Sequence, residues 1–325
     1  MRAVVHQEFG EPSKVLAVEE VAVPEPGRGE VRLKVLLSPI HNHDLWTIRG
    51  SYGFKPDLPA RAGTEVVGIV DALGEGVEGL EVGQRVATGG AFGAWAEYVL
   101  TKAGGLIPVP DTLSDEIAAQ LVAMPFSAIS LLASLDLEEG DWLVQNAANG
   151  AVGRMVAQLA AARGINVVGL VRRAAGVDEL AELGIGNVVA TDTDDWTDRV
   201  AEVTGGAPIK AGVDSVGGRP AGDVLGLLAE GGTLVIFGAM DSPRLDLSSG
   251  DVIFKEAVVR GFWASKVIGS MPAQQRRALF GELLQRAGDG SLDLSIERTY
   301  TLEEVREAAD ANFRPGRRGK LLLRP

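Results

Sequence analysis

Residues 145–155 read QNAANGAVGRM, and this stretch decides the fold. It stands between "DWLVQNA", an apolar run of strand character, and "GRMVAQLAAA", whose apolar residues recur at helical spacing. Ala148, Gly150, Ala151 and Gly153 carry almost no side chain, and Asn149 and Val152 complete the turn. A strand-to-helix turn of this kind brings backbone N–H groups and a helix N-terminus close to an anion. Its spacing departs from the Gly-x-Gly-x-x-Gly of the usual dinucleotide fingerprint. A tight turn without a ligand could use the same small residues, so the flanking sequence has to choose.

The flanks favour a ligand. Strand-like and helix-like segments alternate onward from the turn: "NVVGLV", "GVDELAELG", "NVVAT", "WTDRVAEVTGG", "AGVDSVG", "PAGDVLGLLAEGG" and "TLVIFGA". Short connections between them predict a parallel sheet with helices on both faces. "AVVRGFW" at 257–263 is expected to add a further strand. Upstream, residues 1–110 are rich in Val, Gly and Pro, with short strand-like runs cut by turns, which predicts a mostly-β, barrel-like domain. From Ser114, a cap-like residue, "SDEIAAQLVAMPFSAISLLASL" takes helical spacing. The tail offers one long helix, "PAQQRRALFGELLQRAGDG", and a closing strand, "KLLLR", expected to return to the first domain.

Composition removes several functions. A formal net charge of −13 argues against a nucleic-acid groove or an anionic membrane surface as the main partner. The chain has no cysteine, which excludes disulfides, thiolate nucleophiles and Cys-ligated zinc. His6, His41 and His43 are its only histidines. No apolar run approaches the ~20 residues of a membrane span. "MRAVVHQEFG" lacks the apolar core of a signal peptide, so a cytoplasmic location is expected.

The second strand of the unit bears on cofactor choice. A dinucleotide with a free 2′-hydroxyl usually meets Asp or Glu there. After "NVVGLV" stand Arg172 and Arg173, which suit a 2′-phosphate. The competing reading is a solvated basic pair at a strand end. NADPH is the expected cofactor.

With these residues in place, the chain resembles the medium-chain dehydrogenase/reductase superfamily over essentially its full length. "GDWLVQNAANGAVGRMVAQLA", "VDSVGG", "GGTLVIFGAM" and "IFKEAVVRGFW" are similar to its zinc-independent 2-enoyl thioester reductase and quinone oxidoreductase branches. "SPIHNHDLWTIRGSYGFKPDLPARAGTEVVGIV" is similar to the catalytic-domain signature of both, and "QNAANGAVG" leans toward the enoyl reductases. The resemblance implies an α/β protein: a GroES-like, mostly-β catalytic domain at 1–117 completed by 265–325, and a Rossmann doubly wound domain at 118–264. It also implies a junction cleft for nicotinamide and substrate, and a homodimer through the cofactor domains at "AVVRGFW". In zinc-dependent relatives the catalytic ligands would fall at His41, Thr64 and Ala123, and one plausible ligand of three leaves no tetrahedral site. The stretch between "GQRVAT" and "FGAWAEY" is too short for a four-Cys structural lobe. No resident metal is expected, although His41, His43 and Asp44 could chelate one opportunistically.

Without a Lewis acid, a conjugated acceptor is the easier substrate, because hydride adds to carbon and hydrogen-bond donors can hold the resulting enolate or phenolate charge. Tyr52, in "RGSYG", matches the Tyr that the enoyl-reductase signature carries as donor or polariser; alternatively it packs over the cleft. His41 stands where both branches typically carry Asn, and His43 follows it; each could donate a proton or simply bond to backbone. Trp46 and Trp263 resemble residues bordering the pocket, with core packing as the other account. Asp44 and Glu65 read as structural. Val216, Gly217, Phe237, Gly238, Met240 and Phe262 are expected beside the nicotinamide at the carboxyl edge of the sheet. The leading expectation is an NADPH-dependent reductase of an enoyl thioester or enone. An NADPH:quinone oxidoreductase is the nearest alternative, and a non-catalytic NADPH-binding protein is a different class.

Overall fold

In the computed structural model, which describes residues 1–314 and 316–325, strand Trp142–Gln145 enters the opening turn and helix Ala151–Ala161 leaves it. Six parallel strands form the sheet around it. Their order is Val188–Ala190, Asn166–Val171, Trp142–Gln145, Ile209–Asp214, Thr233–Ile236, Val258–Gly261. Numbered along the chain, that is 3-2-1-4-5-6, the doubly wound order that places a topological switch point beside the first strand. On one face of the sheet, Val144, Val168, Val189 and Leu234 pack against Val200, Val224 and Leu225 of the covering helices, and on the other Val171 and Ala190 pack with Ala157 and Leu180. The turn needs its small residues. A Cβ on Gly153 would come within 2.8 Å of the carbonyl oxygens of Ala147 and Ala148, so only glycine lets the helix start this close to the strand.

The chain divides into two compact units, Met1–Met124 with Leu294–Pro325, and Pro125–Asp293. The resemblance implies a division at 117/118 and 264/265, whereas by contacts the segment 265–293 groups with the second unit. Its helix, Ala273–Asp289, buries Leu279, Leu283 and Ala287, spaced four residues apart along one stripe. Ion pairs Arg163–Glu282 (2.9 Å) and Arg154–Asp293 (3.1 Å) tie this segment to the helix that follows the opening turn. The amphipathic pattern announces the helix; it does not announce which sheet the helix covers.

The first unit is mostly β, as expected. A seven-stranded sheet runs Ile296–Thr301, Lys320–Arg324, Glu30–Pro39, Val66–Leu73, Arg85–Thr88, Ile107–Pro108, with Tyr98–Lys102 also paired to Glu30–Pro39. The closing strand does return: Leu322 and Leu323 pair antiparallel with Pro39 and Ser38. A three-stranded sheet holds Leu16–Glu20, Arg2–His6 and Ala60–Arg61.

The helical stretch from Ser114 is two helices, Asp115–Ala119 and Ala123–Ala133, rather than one. Ser114 caps the first, its Oγ accepting from the N–H of Ile117 at 3.3 Å. The break has a partner outside the segment. The N–H groups of Val122 and Ala123 both donate to Oε1 of Glu65 at 2.7 Å, a distant acceptor that no local pattern reveals.

The other oxygen of Glu65 lies 2.6 Å from Nε2 of His41, and both side chains are fully buried. Burial pushes the Glu65 carboxyl up to about 8, against the pull of the two backbone donors. Burial, and then the Lys320 charge, hold His41 well below its ordinary 6.5. The pair is therefore neutral at pH 7, with one proton between the two groups.

A raised carboxyl contributes stability that is complete below its ordinary 4.5 and lost as pH climbs toward 8, because the native state holds a proton the unfolded chain has released. The depressed His41 works oppositely, contributing stability above 6.5 that is lost as pH falls. The two slopes oppose each other below 6.5 and leave the Glu65 decline alone between 6.5 and 8. Glu65→Gln mimics the protonated carboxyl with an amide that does not titrate. Urea midpoints should show the wild type losing about 2 kcal/mol relative to Glu65→Gln across that upper window. A constant difference between the two would refute the neutral pair.

Candidate functional site

In the first unit, the helix Asn42–Arg49 organises the candidate catalytic residues. His41 is its N-cap, and the His41 N–H donates to Oδ2 of Asp44 at 3.0 Å, closing the first turn. Gly50 ends the helix at φ 73°, a left-handed conformation that glycine adopts without strain. The chain then doubles back, and the N–H of Tyr52 donates to the carbonyl of Trp46 at 3.2 Å. This fold-back sets three rings in series. His41 and His43 stack with centroids 5.0 Å apart, and Tyr52 lies 5.9 Å beyond His43.

The three are not equivalent. His41 is 0% exposed and bonded to Glu65, and its Nδ1 has no partner among the described residues. It cannot meet a solvent-borne substrate in this conformation. His43 and Tyr52 are half-buried. Nε2 of His43 lies 2.8 Å from Oγ1 of Thr64, and that hydroxyl donates to Oδ1 of Asp44 at 2.7 Å. A hydroxyl has one proton, so Thr64 can only accept from His43. His43 thus carries its proton on Nε2, and its lone pair is on Nδ1. Burial lowers the pKa of His43, with Asp44 opposing, which keeps the ring neutral.

Thr64, noted in the sequence only as the place of an absent zinc ligand, has a role there that the sequence did not disclose, because it depends on a hydroxyl reaching across 21 residues to His43. Asp44, read as structural, does hold the loop, and it also directs the hydroxyl. Among the described residues, no group of three or more His, Cys, Asp or Glu side chains is placed to hold a metal ion.

The second unit gathers the expected cofactor residues at the carboxyl ends of its strands. Asn149 and Gly150 are exposed, Ala151 and Val152 half-exposed, and the helix beginning at Ala151 has no in-helix acceptor for its first N–H groups. This is an open, unobstructed cradle for an anion, and a pyrophosphate fits it. Arg172 and Arg173 follow strand Asn166–Val171, both exposed, and neither guanidinium has an ion-pair partner among the described residues. Phe237 and Gly238 donate their N–H groups to the carbonyl of Asp214, and Met240 donates to that of Ser215. Phe262 is buried and stacks on Phe237, centroids 5.9 Å apart. Trp263 is 41% exposed, with the Lys266 ammonium 4.8 Å from its ring.

Two side chains missing from the sequence expectation join the cradle to these strands. Asn146 donates through Nδ2 to Oδ1 of Asp214 at 2.5 Å and accepts from the N–H of Ser215 at 2.8 Å. Asp214, fully buried, also accepts from the N–H groups of Val216 and Gly217 at 3.0–3.2 Å. Both lie inside quoted motifs, "QNAANG" and "VDSVGG", and a polar residue at the end of an otherwise apolar strand was the available signal.

Comparison with known proteins bears on what these two sets of residues belong to. Residues 27–111 match the family described as alcohol dehydrogenase GroES-like domain, and residues 151–279 the family described as zinc-binding dehydrogenase. The chain is 31% identical over 329 residues to a human mitochondrial enoyl-[acyl-carrier-protein] reductase, covering 99% of this chain and 88% of that protein. A mycobacterial protein solved with NADPH superposes with a TM-score of 0.88 at 27% identity over 100% of both chains. A Pseudomonas syringae quinone oxidoreductase superposes with a TM-score of 0.90 at 25% identity, over 100% of this chain and 99% of that one. Two matched domains in the right order, and an alignment spanning nearly the whole chain, place the protein. The chain belongs to the medium-chain dehydrogenase/reductase family of oxidoreductases, in its zinc-independent enoyl/quinone reductase branch.

Proposed function

We propose that this chain is an NADPH-dependent reductase of a conjugated C=C, with a 2-enoyl thioester or an enone as substrate. The observation that carries the reading is the series His41, His43, Tyr52, in which only His43 and Tyr52 are accessible and Tyr52 brings a phenol. Its similarity to an enoyl-[acyl-carrier-protein] reductase along nearly its whole length supports the acyl class. Similarity to a quinone oxidoreductase supports a quinone as the alternative acceptor.

NADPH, when bound, supplies hydride to the β-carbon. The N–H groups at 151–153 would hold its pyrophosphate, Arg172 and Arg173 its 2′-phosphate, and Val216, Gly217, Phe237, Gly238 and Met240 would border the nicotinamide. Hydride addition puts negative charge on the carbonyl oxygen, and a donor must neutralise it. The Tyr52 hydroxyl is the resting donor. His43 has its proton committed to Thr64 and gives one at Nδ1 only after taking one up, a form that burial disfavours. Asp44 and Thr64 fix the tautomer, and His41 with Glu65 holds the helix start that carries His43 and Asp44. Trp46 anchors the Tyr52 backbone, and Trp263 stands at the end of the last sheet strand.

A homodimer through the cofactor unit is part of the proposal. Strand Val258–Gly261 is an edge of its sheet, and Val258, Phe254 and Ile253 beside it are exposed, Phe254 at 83%.

Steady-state assays against a trans-2-enoyl thioester, a simple enone, a quinone and an aldehyde separate the acceptor classes. Replacing Arg172 and Arg173 together by Ala should raise KM for NADPH by the loss of charge-assisted hydrogen bonds, each worth ~1.5–3 kcal/mol, and hardly touch NADH. A wild type that already prefers NADH defeats this assignment. Tyr52→Phe should lower kcat on the enoyl substrate by ~10²–10⁴ with NADPH affinity retained. Thr64→Val, which releases the His43 tautomer, should shift the pH profile with a smaller loss of rate. Both activities are expected to survive excess chelator. Wild-type speed in Tyr52→Phe on every acceptor would reduce Tyr52 to a wall of the site. Phe254→Glu with Val258→Lys should convert a dimer to a monomer in sedimentation, and an unchanged mass would remove the edge strand from the interface.

A further inference from the structure

Arg61 is an arginine of the first unit that stands apart. Arg32, Arg49 and Arg85 are each paired with a carboxylate, of Asp71, Glu11 and Asp115, at 2.6–2.8 Å. Arg61 is half-buried, yet among the described residues its guanidinium has no hydrogen-bond or ion-pair partner. Burial alone acts on it, and lowers its pKa. A cation kept partly out of water without a counter-charge is costly unless something else supplies the anion.

Its surroundings define what that anion is attached to. Arg61 ends strand Ala60–Arg61, and its stem runs along the segment at Gly93, where an added Cβ would lie 3.0 Å from the Arg61 Cβ. The N–H of Ala91 donates to the carbonyl of Thr64 and that of Gly93 to the carbonyl of Gly63, which pins Phe92 beside the Thr64 loop. Phe92 is 61% exposed and meets the exposed ring of Phe54, centroids 5.2 Å apart. Phe54 is two residues beyond Tyr52. The two rings thus bridge the Tyr52 loop to the loop whose Thr64 hydroxyl bonds His43. An unpaired cation thus stands beside Gly93, next in sequence to Phe92, whose ring meets that of Phe54.

We propose that Arg61, with Phe54 and Phe92, is a subsite for the phosphorylated pantetheine arm of an acyl thioester, with the guanidinium on the phosphate and the rings along the apolar arm. This rests on the thioester reading of the substrate given above. The arm is long and flexible, so its phosphate is recognised away from the reacting carbons. With a net charge of −13, the protein as a whole repels a polyanionic substrate, and a local cation is what can hold one. Coenzyme A and the prosthetic group of an acyl-carrier protein share this phosphate.

The test compares one trans-2-enoyl chain carried as the coenzyme A thioester, the 4′-phosphopantetheine thioester and the N-acetylcysteamine thioester, which lacks phosphate. Arg61→Gln should raise KM about tenfold for the phosphorylated forms, the lower end for a charge-assisted hydrogen bond, with kcat held. The N-acetylcysteamine thioester should keep its wild-type constants, which also certifies the fold. Arg61→Lys should recover part of the loss. An equal penalty on both phosphorylated forms identifies the pantetheine phosphate as the contact, and a penalty on coenzyme A alone moves the contact to a nucleotide phosphate. A uniform change across all three thioesters, or none, overturns the subsite. If the wild type reduces no thioester but does reduce an enone, the substrate reading fails separately. Titration with 4′-phosphopantetheine then decides: binding weakened about tenfold by Arg61→Gln supports the site, and equal binding overturns it.

Discussion

The Glu65 carboxyl holds the first unit in its working form. One oxygen takes the N–H groups of Val122 and Ala123, and the other bonds His41. A buried carboxyl with this many obligations fixes three segments at once, and removing any partner would strand a polar group away from water. The helix Asn42–Arg49 starts at His41 because of it. The orientation of His43 and the fold-back to Tyr52 follow from where that helix starts.

Asp214 plays the matching part in the second unit. Strands Trp142–Gln145 and Ile209–Asp214 are neighbours in the sheet, so the turns at their ends emerge side by side. Asn146 on one and Asp214 on the other lock those turns together through a fully buried contact. Gly217 must be glycine for this: its φ is 79°, and a Cβ there would run into the carbonyl of Ser242. Each unit therefore uses one buried carboxylic side chain to align loops that have little secondary structure of their own.

Local patterns in the sequence reached most of this framework and stopped where contacts are non-local. The alternating segments after residue 140 announced the parallel sheet, because buried strands and amphipathic helices differ in period. The small residues of the opening turn announced the cradle. The break at 120–122 was hidden, since the apolar spacing of "SDEIAAQLVAMPFSAISLLASL" continues through it and the acceptor that causes it is Glu65. Thr64 was hidden for the same reason, as was Arg61, whose distinction is the lack of a partner. His41 was legible as unusual, but its burial was not, because a residue at a helix start can face either way.

The free edge at Val258–Gly261 adjoins strand Thr233–Ile236, which leads directly into Phe237 and Gly238. Phe262, just past the edge strand, stacks on Phe237. Whatever covers the edge thus bears, one aromatic contact away, on Phe237 and Gly238, the residues proposed to border the nicotinamide. In the proposed dimer, assembly and cofactor affinity would be linked variables, each shifting the other by the same factor. Protein concentration would then act as a hidden ligand of that dimer: a dissociation constant measured in dilute solution and one measured at cellular abundance would describe different states of the same site.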